Sequence, residues 1–255
     1  METIDHPRAG EGESVGGYHG GVLLAIDSSA GASVSVIHDG QVLAAWRTAE
    51  TNTHAEVLAS AVQRTLAEAG TGGAELDGVV VGVGPGPFTG LRVGLALAHS
   101  LAAVWQKPLH GICSLDSLAL RAAAQGLTGE FLAASDARRR EIYWARYRAD
   151  DADRPTDSLT IGSAAAAGLQ VLDGPQVCAA AEAPALASLG AGVGLYPEQL
   201  QLAAGLPDGA DQWLPDAEEL ALLAEAGATR LRDPLPLYLR ESDARVPQQM
   251  KRAGA

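Results

Sequence analysis

The sequence predicts an α/β protein of two subdomains, and three features favour that fold class. Short β-branched runs, typical of buried strands, alternate with longer stretches whose apolar residues recur at helical spacing. Asp39-Gly40 joins two early strands and is typical of a tight hairpin, which a purely parallel sheet would lack. A second strand pair at 131–155, around a turn at Asp136-Ala137, indicates that a second unit begins there.

The elements follow one another in an order that narrows the fold class. The predicted segments are a strand at 22–27, a hairpin at 32–48, a helix at 54–70, a strand at 77–83, a helix at 90–106, a strand at 109–113 and a helix at 115–125. This is the core order of half of an actin-like ATPase, so we expect that fold. In the second half, a helix is expected at 215–227, capped by Asp216 and ended by Gly227.

Four segments are predicted along the chain. They are a disordered tail at 1–20, an N-terminal actin-like subdomain at 21–118 that carries a partner interface, a smaller C-terminal subdomain at 119–235 and a C-terminal segment and tail at 236–255. The two halves are expected to be of related construction, although the second shows no clear sequence repeat.

Composition and charge restrict the function classes. The net charge of −13 opposes binding of nucleic acid by this chain alone. Two cysteines, Cys113 and Cys178, are too few for a disulfide framework, so we expect reduced thiols. Because the first twenty residues lack a secretory signal and no apolar run reaches membrane-spanning length, we expect a cytoplasmic protein that does not contact the membrane.

Four motifs resemble those of a known family. They are THAEVL at 53–58, GPGPFTGLRVG at 84–94, SDARRREIYWARY at 135–147 and PLYLRESDARVPQ at 236–248. With them the chain resembles the bacterial TsaB family, also called YeaZ, over about residues 22–248. It departs from the family at Pro87, where Ser is usual, which stiffens the loop but keeps its length.

The resemblance implies a role in forming N6-threonylcarbamoyladenosine at position 37 of tRNA. In that family the TsaB subunit is the non-catalytic partner of a homologous enzyme, TsaD, and the pair acts with the ATPase TsaE. For this chain the resemblance therefore implies a heterodimer with a TsaD-type subunit, docking of a TsaE-type ATPase, and contact with tRNA only through the complex. Two alternatives remain open: a self-sufficient ATPase or kinase of the same fold, and a glycoprotease-type peptidase.

Catalytic groups are the first test of these alternatives. The catalytic relative carries an HxxxH metal pair on one helix face, and the two positions fall here at about Ser114 and Leu118. Neither residue replaces an imidazole ligand, so we expect no metal site and no catalytic residue. His54 and Glu56 point to opposite sides of a helix; Thr53 is the expected N-cap of that helix.

A glycine-rich loop supplies candidate nucleotide contacts. They are Asp27, which can hold Mg²⁺ through water, Gly84, Gly86 and Gly90, which let backbone amides approach an anion, and Thr89, an expected N-cap. Pro85 and Pro87 remove two amide donors from this loop. Two interpretations stay open: a remnant of the ancestral fold, or a weak ATP or ADP contact with Mg²⁺ at the complex interface. No cofactor of its own is expected.

The helix after the loop is apolar almost all round. A stripe of small residues at Gly90, Gly94, Ala98 and Ala102 would let a partner helix approach closely. The predicted partner interface, formed with the preceding helix, comprises His54, Val57, Leu58, Ala61, Leu91, Gly94, Leu95, Ala98, Leu101 and Trp105. The same face could pair with itself in a homodimer when the TsaD-type subunit is absent. The alternative is an internal helix buried between the subdomains.

Basic residues cluster in the second strand pair. Arg138, Arg139 and Arg140 lie in the turn, and Arg146 and Arg148 follow within the next strand. A tRNA-binding patch and a solvated turn with acidic partners are both consistent with this pattern.

Overall fold

The computed structural model describes residues 18, 20–49, 54–150, 166, 168–227 and 231–240, with the backbone alone at 54–56. The first half contains β1 (Leu23–Asp27), β2 (Ala32–His38), β3 (Gln41–Thr48), α1 (His54–Glu68), β4 (Gly78–Gly82), α2 (Phe88–Trp105), β5 (Leu109–Ile112) and α3 (Ser114–Ala124). The second half contains β6 (Gly129–Asp136), β7 (Glu141–Ala149), β8 (Leu169–Ala179), β9 (Ala187–Leu189), α4 (Ala191–Leu195), β10 (Gln201–Leu202) and α5 (Ala217–Ala226).

The ten strands within the described ranges form two sheets with the same topology. Their orders are β3-β2-β1-β4-β5 and β8-β7-β6-β9-β10. In each sheet the first three strands pair antiparallel and the last two join in parallel. The two halves therefore repeat one fold. The sequence conceals this repeat because β9, α4 and β10 have shrunk to three, five and two residues.

The sheets and helices are stacked in layers. Alternate residues of β1 point to different cores: Leu24 and Ile26 pack with α1 and α2, whereas Leu23 and Ala25 pack with α3 and α5. The α3/α5 layer also packs against the second sheet through Phe131. Both faces of the first sheet are thus covered, which is why β1 and β4 are buried along their whole length.

The two halves exchange a helix in this middle layer. Helix α3 follows the first sheet in sequence but packs against β6, β7 and β8 of the second. Helix α5 follows the second sheet but packs against β1, β2 and β4 of the first. The domain boundary predicted between residues 118 and 119 therefore lies inside α3. Helix α5, which belongs to the second half in sequence, covers the first sheet.

Most local predictions are confirmed. The 32–48 hairpin turns at Asp39 and Gly40, whose φ angles are 51° and 71°. Helix α5 begins after Asp216, whose carboxylate accepts a hydrogen bond from the Glu218 amide, and ends at Gly227 in the left-handed region. The β6–β7 turn comprises 137–140, slightly later than predicted.

One residue of the predicted N-terminal tail packs against the fold. Tyr18 lies inside the segment 1–20, yet its amide donates to the Ala224 carbonyl and its ring meets His110 edge-on at 5.6 Å. Burial raises the pKa of Tyr18 to about 12. The prediction of disorder is wrong at this residue because an aromatic ring has been packed onto the core. The rest of that segment except Gly20, together with 241–255, lies outside the described residues.

Candidate functional site

Asp27 ends β1 and is bonded entirely within the chain. Its side chain is 1% exposed, and Oδ1 accepts hydrogen bonds from the amide and the hydroxyl of Ser29 at 2.8 and 2.7 Å. Oδ2 accepts from Ser114 Oγ at 2.5 Å. A Cβ at Gly82 would lie 1.8 Å from Oδ2, so only glycine fits beside it. Burial raises the pKa of Asp27, although the bonds from Ser114 and Ser29 oppose the shift.

The glycine loop is hydrogen-bonded to Ser114 and packs against Ser29, the same two residues that bond Asp27. The Gly84 amide donates to Ser114 Oγ at 3.1 Å, and the Ser114 amide donates back to the Gly84 carbonyl at 2.8 Å. A Cβ at Gly86 would lie 2.3 Å from the Ser29 carbonyl oxygen, so the loop packs directly on the turn that follows β1. The glycines are needed here for close backbone packing within the chain.

Thr89 is not the N-cap of α2, contrary to the sequence prediction. The helix begins at Phe88, Pro87 occupies the cap position without a side-chain bond, and Thr89 is exposed in the first turn. A proline with φ −58° is already set for helix entry, so the helix starts earlier than the threonine pattern suggests.

The two positions that correspond to the metal pair lie one turn apart on α3, as expected. Ser114 and Leu118 are both fully buried, and Ser114 is committed to Asp27 and Gly84. Within the described ranges no group of three or more His, Cys, Asp or Glu side chains is placed to hold a metal ion.

A cavity of about 410 Å³ separates the two halves where the β6–β7 turn faces the first half. Its lining includes Ala30, Pro87, Asp136, Arg138 and Asp211. The Asp136 carboxylate accepts from the Arg138 amide at 2.7 Å and pairs with its guanidinium at 3.2 Å. With one arginine already paired and two carboxylates in the lining, the cavity is electrostatically unfavourable for a polyphosphate.

The stripe of small residues on α2 faces the chain's own sheet, which corrects the sequence prediction. Gly94 and Ala98 are buried, and a Cβ at Gly94 would lie 2.4 Å from Ser28 Oγ. That hydroxyl accepts from the Gly94 amide at 3.0 Å and donates to the Gly90 carbonyl at 2.8 Å. The close approach for which the stripe is suited is made to the turn after β1.

Other residues of the predicted interface are also buried or half-buried. Leu58, Ala61, Leu91 and Leu95 are buried in the same core, so they are not available to a partner. Three more, Val57, Leu101 and Trp105, are half-buried, and the ring of Trp105 lies against Gly73. His54 begins α1, but its side chain, like Thr53, lies outside the described residues.

The exposed face of α2 lies on the side of the helix opposite the buried stripe of small residues. It carries Ala96, Ser100, Ala103 and Val104, and Val104 is 77% exposed. Helix α1 lies beside α2 and exposes its own outer face. Sequence reasoning missed these residues because they are no more apolar than the buried stripe. Helix α2 alone among the described helices is long and apolar enough to cross a membrane, a test that core helices of soluble proteins also pass.

A C-terminal strap, residues 231–240, lies on α2 and contacts it from Arg92 to His99. The Leu237 amide donates to the Val83 carbonyl at 2.8 Å, and Arg92 Nε donates to Tyr238 Oη at 2.8 Å. His99 Nε2 bonds the Pro234 carbonyl at 2.8 Å. The sequence motif beginning at 236 marked this segment, but its position on α2 could not be read from the sequence.

Comparison with known proteins identifies the family. The family model described as TsaD, tRNA N6-adenosine threonylcarbamoyltransferase, matches residues 48–197. The tRNA threonylcarbamoyladenosine biosynthesis protein TsaB of Escherichia coli is 30% identical over 232 residues, which cover 87% of this chain and 96% of that protein. The chain belongs to the TsaB (YeaZ) family.

A solved relative has the fold of this TsaB-family chain. YeaZ from Pseudomonas aeruginosa gives a TM-score of 0.66 at 29% identity, covering 86% of this chain and 100% of that one. An uncharacterised Mycobacterium leprae protein is 38% identical over 195 residues, and the chain spans 51% of its length. The predicted TsaB resemblance and the actin-like two-subdomain fold are confirmed.

Proposed function

We propose that this TsaB-family chain is the non-catalytic, dimerising partner of a TsaD-type threonylcarbamoyltransferase, required for forming N6-threonylcarbamoyladenosine at tRNA position 37. One observation carries the proposal: the two places of the HxxxH pair hold the buried residues Ser114 and Leu118, and Ser114 is bonded to Asp27. Because these two positions are part of the buried core in this chain, we propose that the chain contributes to the reaction through contacts that its surface makes with a partner.

The partner surface we propose is the exposed side of the α1/α2 pair. Val104 and Ala103 project from the C-terminal half of α2, beyond the strap. A homologous TsaD-type subunit offers an equivalent helix pair, so the two pairs form a four-helix contact of about 800 Å² per partner. The same face supports a homodimer when that subunit is absent.

The remaining partners follow from this assembly. A TsaE-type ATPase docks on the heterodimer, and ATP or ADP with Mg²⁺ is held at the interface between subunits. The Asp27 carboxylate accepts three hydrogen bonds from Ser29 and Ser114, which favours a nucleotide at the interface over one held by Asp27 within this chain. We place the complex in the cytoplasm, where tRNA is available.

Light scattering on size-exclusion chromatography tests the proposal. The chain alone should form a homodimer, which exchanges into a one-to-one heterodimer when the TsaD-type subunit is added. Val104→Glu should abolish both species, because it places a charge on the exposed apolar surface of the proposed contact. The matched control is Val171→Glu on β8, where the valine is 45% exposed and lies on the other sheet.

Two outcomes would contradict the proposal. Equal loss of dimers in the two valine variants would remove the α1/α2 face as the interface. Transfer of threonylcarbamoyl to tRNA by the purified chain alone would end the non-catalytic assignment. A larger residue at Gly94 would not test the interface, because Gly94 is packed on Ser28 inside the chain.

The principal alternative is a self-sufficient ATPase or kinase. It requires tight binding of ATP with Mg²⁺ by the isolated chain, weakened by Asp27→Asn or Thr89→Ala. We expect calorimetry to detect no heat of binding; a strong signal lost in those variants would favour the alternative. A peptidase is less consistent with the site, since the only histidines with described side chains are His38, His99 and His110, and none of them bonds a serine or cysteine.

A further inference from the structure

Two adjacent chain connections border the cavity between the halves. The chain passes from β5 into α3, and later from the 212–216 segment into α5. These two crossings lie side by side, because the Asp216 amide donates to Ser117 Oγ at 3.2 Å. Gln212 and Leu214, at the second crossing, line the cavity. Neighbouring connections of this kind form a hinge about which two packed bodies can rotate.

The strap passes a different part of the cavity lining. The Tyr238 ring stacks on Phe88, the residue after the lining residue Pro87, with centroids 4.9 Å apart. Two residues further along, Arg240 Nη1 donates to the Ala137 carbonyl at 2.8 Å. Ala137 lies between two residues of the β6–β7 turn that line the cavity. The strap therefore connects the start of α2 to the turn of the second half along the border of the cavity.

The first half holds the strap through its backbone. Gly111 on β5 and Arg232 exchange two amide–carbonyl hydrogen bonds, each of 2.8 Å, so the strap begins as an antiparallel extension of the first sheet. The Leu237 amide donates to the Val83 carbonyl, also at 2.8 Å. These bonds are additional to those from the side chains of α2, so the strap moves with the first half.

The strap is stiff and short where it leaves this half. Pro234 and Pro236 fix their own φ angles and restrict the residues before them. Three residues separate the Leu237 anchor from Arg240, which is about 10 Å of extended chain. The first half therefore determines where the Arg240 side chain can reach.

Arg240 bonds both ends of the β6–β7 turn. Besides its bond to the Ala137 carbonyl, its guanidinium pairs with the Glu141 carboxylate. The Ala137 amide donates to the Glu141 carbonyl at 3.0 Å, so the arginine contacts the two residues that close the turn. The Arg240 and Glu141 side chains are 26% and 36% exposed, and a forked guanidinium contact of this kind is stronger than a neutral hydrogen bond.

We infer that the strap is a latch that holds the two halves closed over the cavity, with Arg240 as its catch. The hinge and the strap border different parts of the cavity lining, so release of Arg240 frees the β6–β7 turn to move away from α2. Such a protein has a closed state and a minor open state, and each latch bond shifts the equilibrium towards the closed one. The inference goes beyond the proposed function, because the device operates within one chain.

A distance measured between two spin labels by pulsed electron resonance tests the latch. The labels are attached at the exposed positions Ala45→Cys on β3 and Glu198→Cys in the second half. The chain also carries Cys178→Ser, and Cys113, at 1% exposure, stays unlabelled. An excess of unlabelled chain suppresses distances between protomers.

Arg240→Met should raise the population with the longer distance about ten-fold, the typical effect of losing a charge-assisted hydrogen bond. Superimposable distance distributions for the unaltered and Arg240→Met chains would overturn the inference. The matched control is Arg148→Met, which removes one arginine–glutamate pair from the same hairpin and should leave the distribution unchanged. Equal opening in the two methionine variants would also overturn the inference, because loss of charge alone would then explain both.

The acidic partner of the catch has its own test. Glu141→Gln removes the ion pair but leaves the Ala137 carbonyl in place, so it should open the halves less than Arg240→Met does. The double variant should open them no further than Arg240→Met alone, because both substitutions act on one contact. Independent, additive effects would contradict the assignment of Arg240 as the catch.

Circular dichroism and heterodimer formation are measured in parallel. Loss of the folded spectrum in Arg240→Met would make the strap a part of the core and would overturn the latch. Failure of the unaltered chain to join the TsaD-type subunit would contradict the proposed function alone, since the distances within the single chain do not depend on it.

Discussion

Ser114 Oγ donates a 2.5 Å hydrogen bond to Oδ2 of Asp27. The bond joins the end of β1 to the start of α3. Helix α3 follows the first sheet in sequence and packs against the second sheet. By the family resemblance Ser114 takes the place of a metal ligand of the catalytic relatives, and Asp27 is the residue that the sequence offered as a candidate for Mg²⁺. The two positions are here joined by a structural bond that fixes the glycine loop.

Removing this hydroxyl should destabilise the protein. Ser114→Ala leaves Asp27 with Ser29 as its remaining donor and the Gly84 amide without its acceptor. We expect the free energy of unfolding to fall by about 1–3 kcal/mol, the cost of unsatisfied buried groups. Urea unfolding measures it. Ser60→Ala on the exposed side of α1 is the control, and an equal effect there would contradict the structural role.

The pH dependence of stability should reveal Asp27. Its pKa is raised by burial from 3.8, so the native state binds the proton more tightly than the unfolded state. Ionisation therefore costs stability: the cost is absent below about pH 3.8 and grows as pH rises towards the folded pKa. Asp27→Asn removes this term, so stability relative to the variant should decline as pH rises. Parallel unfolding curves from pH 4 to 7 would contradict the shift.

Gly94 should tolerate no side chain. Its Cβ would lie 2.4 Å from Ser28 Oγ, so Gly94→Ala should destabilise by about 1–3 kcal/mol despite the better helix propensity of alanine. Gly72→Ala is a matched control, because the nearest heavy atom to its Cβ is 3.8 Å away. Thermal and urea unfolding distinguish the two. A neutral Gly94→Ala would return the small-residue stripe to the partner interface.

The exchanged helices are held by an ion pair that is largely, though not fully, buried. Arg121 on α3 donates twice to Glu219 on α5, at 2.6 and 2.9 Å, and burial raises the pKa of Glu219 despite this pairing. Arg121→Met leaves the carboxylate buried without its partner, which should cost about 3–5 kcal/mol. Arg148→Met, at an exposed pair with Glu130, should change unfolding by less than about 1 kcal/mol. Urea unfolding measures the free energy of unfolding of both variants. Similar losses for Arg121→Met and Arg148→Met would contradict this difference.

Local patterns in the sequence determined most of the strands and helices of the first half and both ends of α5. The Asp39-Gly40 hairpin and the caps of α5 at Asp216 and Gly227 depend on backbone angles and bonds between near neighbours. Such features are encoded within a few residues, so they could be read directly. The absence of the HxxxH pair was equally plain, because it depends on residue identity alone.

The tertiary structure alone decided which face of α2 is free. Small residues at helical spacing fit a partner helix or the chain's own sheet equally well, and only the β4–α2–β5 connection places Gly94 against Ser28. It likewise brought Arg240 of the strap to the Ala137 carbonyl in the β6–β7 turn, 103 residues away in sequence. Contacts between distant segments depend on topology, which periodicity does not encode, and they determine which residues remain on the surface for partners.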